Sequence, residues 1–149
     1  MSAAIRYDMP LSDERFSGLI ETSPFAAGAG REVYNVPSDE DVVVKKVKGE
    51  FLSNYLEWLI WTSIMSTELI SLFGRCITIS PTGRFLMMER LVNLDDWEFD
   101  RIPNVPNWMT DIKRSSIGRT ADGQIKLRDY ASAKLGETLA SAPRRRVAL

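Results

Sequence analysis

Apolar and polar positions along this chain form short alternating runs, broken by one longer apolar stretch. Val42-Val43-Val44-Lys45-Lys46-Val47 is β-branched almost throughout, which predicts a strand buried on much of both faces. Upstream, Phe25 to Val36 reads as strand, glycine turn and strand, and Pro37 to Asp41 as a polar turn. A short helix is predicted around Asp13–Ile20. After Gly49 the pattern predicts a helix from about Glu50 to Phe73, with Gly74 as its C-cap. Arg75–Ser80 and Arg84–Glu89, joined by Pro81-Thr82-Gly83, predict a hairpin. Residues 92–108 hold two prolines and an acidic cluster and read as irregular or short helical structure. A second hairpin follows, turned at Asp122-Gly123 and continued by the alternating strand Ile125-Lys126-Leu127. Residues 132–149 predict one short helix and a basic tail, Arg144-Arg145-Arg146. This order predicts an α+β fold, an antiparallel sheet of about five strands with one buried helix packed on it.

Composition narrows the chemistry. The 149 residues suit a single domain with a hydrophobic core, and 44% apolar with 26% charged residues is an ordinary globular balance. A net charge of −1 argues against a dedicated nucleic-acid surface. One cysteine, Cys76, excludes an internal disulfide framework and fits a reducing cytoplasm. With no histidine, imidazole bases, His-based triads and His metal sites are all excluded. The N-terminal residues lack the apolar run of a signal peptide. The stretch Phe51–Met65 is too short to span a bilayer and is interrupted by Glu57. A soluble, cytoplasmic protein without a membrane contact is the expectation.

Two constellations carry candidate chemistry. Glu57 is the only charged side chain between Phe51 and Thr67. A carboxylate buried with that helix needs a cation, and Lys45, one element upstream, is the natural partner. The plainer alternative is a glutamate at the rim, reaching water. Asp111 and Asp129 flank the second hairpin, with Lys113 and Ser116 between them. Two carboxylates on neighbouring loops suit metal-assisted phosphoryl transfer, one orienting a hydroxyl and the other binding Mg²⁺. Two turn aspartates are the plainer alternative.

In order and spacing these segments resemble the protein-kinase fold. Met109-Thr110-Asp111 stands where His-Arg-Asp would be, Ser116 where asparagine would be, and Asp129-Tyr130-Ala131 where Asp-Phe-Gly would be. Ala26 to Val33 resembles the glycine-rich loop, and Met87 to Leu91 the hinge. The resemblance implies ATP and Mg²⁺ as cofactors. Gly28 and Gly30 would approach the phosphates, Val33 the base, and Lys45 the phosphates under the orientation of Glu57. The hinge backbone at Glu89 would meet adenine. Ser116 and Asp129 would bind Mg²⁺, and Asp111, assisted by Lys113, would act as base. The single domain would comprise an extension (1–24), a kinase-like N-lobe (25–91), a strongly reduced C-lobe (92–131) and a C-terminal helix with basic tail (132–149).

Departures are as informative. Arg31 takes the third glycine position, and only 19 residues separate Leu91 from Asp111. Nothing in residues 132–149 resembles an activation segment or a peptide-binding platform. The chain is similar to the minimal kinase-like proteins of bacteriophages, which implies action in a host cytoplasm. Two functions compete: an ATP- and Mg²⁺-dependent phosphotransferase or nucleotide binder, and a pseudokinase that binds and regulates a host protein. In the second case Trp97, Phe99 and Trp108 are the expected contact surface; their alternative role is the core of the shortened C-lobe.

Overall fold

The computed structural model describes residues 11–50, 52–132, 144–147 and 149. The chain divides into two compact units, Met1–Trp58 with Cys76–Arg90, and Leu59–Arg75 with Leu91–Leu149. Residues 59–75 group with the second unit and 76–90 with the first.

The first unit is an antiparallel five-stranded sheet, so the fold class is α+β. Its strands are β1 (Ala26–Ala27), β2 (Arg31–Asn35), β3 (Val42–Val47), β4 (Cys76–Ile79) and β5 (Phe85–Glu89), in the order β1-β2-β3-β5-β4. The β-branched run of β3 takes the centre, where burial on both faces favours such residues. Strand alternation then sorts its side chains. Val42 and Val44 join Phe85, Met87 and Val36 in a core closed by Phe16 of helix α1 (Asp13–Leu19) and by Leu11 just before it. Phe16 stacks on Phe85 with ring centroids 5.3 Å apart. The helix is only seven residues long and begins at Ser12, whose hydroxyl accepts the Arg15 N–H at 3.2 Å. Lys45 lies on the opposite face, beside its cross-strand neighbours Val33 and Leu86.

The hairpin between β4 and β5 turns at Gly83, whose φ is +74°. A Cβ there would also strike the Tyr55 ring at 2.2 Å, so both conformation and space require glycine.

The helix expected over 50–73 is shorter. Helix α2 spans Ser53–Ile64, and a separate 3₁₀ turn covers Glu68–Leu72. Thr67 breaks the run. Its N–H and hydroxyl both turn back to the Ile64 carbonyl, and its hydroxyl accepts the Leu69 N–H to start the new turn. Gly74 caps no helix; its N–H donates to Leu127 O at 2.6 Å. Nor is α2 buried all round. Asn54, Glu57, Ile60, Trp61 and Ile64 are buried, whereas Tyr55 and Leu59 are exposed.

Among its described residues, the second unit has little regular structure. Phe73, Trp108 and Tyr130 form its aromatic centre: Trp108 stacks on Phe73 at 5.7 Å, and Tyr130 meets the same ring edge-on at 4.9 Å. The Tyr130 hydroxyl donates to Gly74 O at 2.9 Å. Strands β6 (Val105–Pro106), β7 (Ile117–Arg119), β8 (Ile125–Leu127) and β9 (Arg144–Arg145) make two small ladders, β6 with β9 and β7 with β8. The predicted hairpin is present, with Gly123 at φ +90° in its turn. Gly118 lets Val92 bridge to Arg119, since a Cβ there would come within 2.7 Å of Leu91.

Arginines fasten the irregular backbone. Arg119 donates to Glu98 at 2.6 Å, and Arg128 reaches Ser115 O, Leu91 O and Asn93. Arg144 and Arg145, expected in a basic tail, are a strand paired with β6. The helix expected within 132–149 falls on residues outside those described. Among the described residues, no helix is long and apolar enough to cross a membrane.

Candidate functional site

In the first unit, β2, β3 and α2 converge on one carboxylate. Glu57 is fully buried, and its Oε1 lies 2.8 Å from Lys45 Nζ. Arg31 adds a two-pronged contact, Nη1 to Oε1 at 2.7 Å and Nη2 to Oε2 at 2.8 Å. Burial alone would raise the Glu57 pKa, but Lys45 and then Arg31 outweigh it and hold the carboxyl at about 2. Asn54, one turn earlier on α2, secures the geometry. Its amide donates to the carbonyls of Lys45, Gly83 and Arg84, and its oxygen accepts from Arg31 at 3.3 Å.

Arg31 was visible in the sequence only as a misfit in the glycine pattern. A fork-shaped donor two strands from a lone buried glutamate was the signal that could have found it.

The glycine turn between β1 and β2 is closed by its own backbone. Gly28 N–H donates to Arg31 O at 2.9 Å, Lys48 Nζ reaches Gly28 O at 2.8 Å, and Lys48 N–H reaches Gly30 O at 2.9 Å. Val33 pairs directly with Lys45 across β2 and β3. Glu89 ends β5 opposite Val42, and the next N–H, that of Arg90, donates to Asp41 O.

In the second unit, Asp111 is exposed, with φ +50°. Lys113 Nζ lies 3.8 Å from its carboxylate, a solvated contact worth about 0–1 kcal/mol. Ser116 is buried, and its hydroxyl accepts the Lys113 N–H at 3.1 Å, closing a 3₁₀ turn over Arg114–Ser116. That hydroxyl, expected on a metal, therefore has a structural task. Asp129 is half-buried just after β8, and its N–H donates to Ser116 O at 3.3 Å. Among the described residues, no three acidic, histidine or cysteine side chains gather to hold a metal.

The aromatic trio separates. Trp108 is fully buried on Phe73, so it is a core residue and not a contact surface. Trp97 is 62% exposed, with the Arg101 guanidinium 5.9 Å from its ring; Phe99 is half-buried under Arg114 at 4.3 Å. A cleft of about 300 Å³ in this unit, lined by Ser71, Arg101, Pro103 and Gln124, includes none of the predicted site residues.

No family model matches the chain, and no curated protein is similar to it. Nineteen chains of solved structures match. One is the crystal structure of Cex1p, which is 14% identical with a TM-score of 0.51. That match covers 87% of this chain but only 30% of the Cex1p chain, and at this identity it shows a shared fold alone.

Proposed function

We propose that this chain is a minimal kinase-like protein that binds a nucleoside triphosphate and transfers its phosphate. The buried Lys45–Glu57 pair carries the proposal, because it puts a fixed ammonium on a sheet strand and orients it from a helix. The five-stranded antiparallel sheet supports it. Lys45 is assigned to the phosphates, Asp129 to Mg²⁺ and Asp111 to the attacking hydroxyl. Bound Mg²⁺ would neutralise charge developing on the phosphates; among this chain's residues Asp129 fits it better than Ser116, whose hydroxyl closes a turn.

A thermal-shift titration with ATP and Mg²⁺ tests binding, since a ligand of the native state must raise the melting temperature. Catalysis is tested by Asp111→Asn, expected to abolish phosphate transfer while sparing the ATP shift. Absence of any shift at saturating ATP and Mg²⁺ would remove the nucleotide from the proposal.

One observation favours a second function, a pseudokinase that regulates a partner protein, in a phage setting a host protein. Trp97 offers a large exposed aromatic surface beside Arg101, and such pairs dominate interface energetics. Loss of the biological effect on Trp97→Ala, with Asp111→Asn without effect, would select that function.

A further inference from the structure

Asp111 has the one non-glycine backbone among the described residues in the left-handed region, at φ +50°. Aspartate tolerates this region better than most residues, yet it remains uphill for an L-residue, so surrounding contacts must hold it there. Those contacts concentrate on the residues just before it. Arg145 on β9 donates from Nη1 to Pro106 O at 3.2 Å and to Asn107 O at 3.0 Å, and from Nη2 to Met109 O at 2.5 Å. Met109 N–H closes a turn onto Pro106 O at 3.1 Å, and Thr110 N–H donates to Ser132 O at 3.0 Å. The β6–β9 register, Val105 opposite Arg145 and Pro106 opposite Arg144, aims the guanidinium at these carbonyls. Trp108, inside the same segment, is anchored on Phe73. Asp111 follows directly on this clamped segment.

We propose that Arg145 is a positioning residue for Asp111, its guanidinium holding the 106–109 carbonyls so that the chain enters residue 111 in the left-handed conformation. The functional part of this proposal rests on Asp111 as the base. The planar fork matters, because these carbonyls are met from two separate nitrogens, whereas the three donors of an ammonium share one centre.

The test is a comparison of Asp111→Gly and Asp111→Ala in the full chain, by urea unfolding, with and without Arg145→Ala. Glycine accepts positive φ and alanine resists it, so Asp111→Gly should have the larger folding constant by about fivefold to thirtyfold. Without the Arg145 clamp that ratio should fall to within about twofold, the spread of uncoupled sites. Should Arg145→Ala not fold, Arg145→Gln supplies the second background. An equal ratio in both backgrounds, or no ratio in the parent, overturns the assignment. Arg145→Ala should also lower ATP turnover with Mg²⁺ about tenfold or more while leaving the ATP thermal shift in place, as expected of a group acting only on the transition state. If the parent turns over no ATP, Asp111 is not a base in that reaction, and the glycine-to-alanine ratio still decides whether Arg145 sets its backbone.

Discussion

Glu57→Gln is a severe single perturbation of the sheet unit. The carboxylate is fully buried and receives Lys45 on Oε1 and Arg31 on both oxygens, at 2.7–2.8 Å. Glutamine keeps the shape, removes the charge and leaves the buried Lys45 and the half-buried Arg31 without it. Breaking a buried ion pair from one side costs about 3–5 kcal/mol, against a total stability of about 5–15 kcal/mol for a domain. Lys45→Met is milder, because Arg31 still satisfies the carboxylate; the loss of one charged hydrogen bond amounts to about 1.5–3 kcal/mol. The double variant should cost less than the sum, since each single change removes the same contact. Urea unfolding at neutral pH, followed by circular dichroism and tryptophan fluorescence, measures all three. Strict additivity, or a Glu57→Gln cost below about 1 kcal/mol, would refute the network as a source of stability.

The same carboxylate sets a pH dependence: its pKa falls from 4.5 to about 2 on folding, so its contribution is complete above pH 4.5 and disappears between 4.5 and 2. The contribution amounts to about 3 kcal/mol, and an acid titration of the urea midpoint should lose that increment in the parent but not in Glu57→Gln. Asp129→Asn should abolish the Mg²⁺-dependent part of any ATP thermal shift and leave the fold intact; an unchanged titration would make Asp129 a structural turn residue. Trp108→Ala should destabilise by about 3–5 kcal/mol, whereas Trp97→Ala should stay within about 0.5 kcal/mol. Equal effects in urea unfolding would show that the burial difference between the two tryptophans does not govern stability.

Local pattern made the sheet legible. The β-branched run of β3, the Pro-Thr-Gly turn before β5 and the Asp-Gly corner before β8 each declare themselves within a few residues. The partner of Glu57 was also inferable, because a solitary charge in an apolar helix demands an opposite one nearby in the chain. Features made by distant residues were not. Nothing near Arg31 announces that it reaches α2, nothing near Arg145 announces β6, and the polar break at Ser66-Thr67 is too brief to interrupt an apolar pattern on paper. Trp97 and Trp108 look alike in sequence, and only the stack on Phe73 tells the buried one from the exposed one. The carboxylates at Asp111 and Asp129 were visible as residues, while the left-handed backbone at Asp111 was not, since aspartate carries no signature for it.

The arginine fastenings of the second unit bear on which substitutions the chain can absorb over time. Arg119 meets a buried carboxylate, and Arg128 and Arg145 each spread one guanidinium over three acceptors, five of those six being backbone carbonyls that no side-chain change can remove. Lysine keeps the charge but offers a single centre, so the exchange that is harmless at a solvated arginine breaks the fastening at these three. Drift in this unit should therefore proceed through its exposed residues and apolar packing, with the three guanidinium positions lagging behind. Where the described backbone is this poor in helix and strand, those side chains substitute for the hydrogen-bond ladders that elsewhere make a backbone indifferent to the residues it carries.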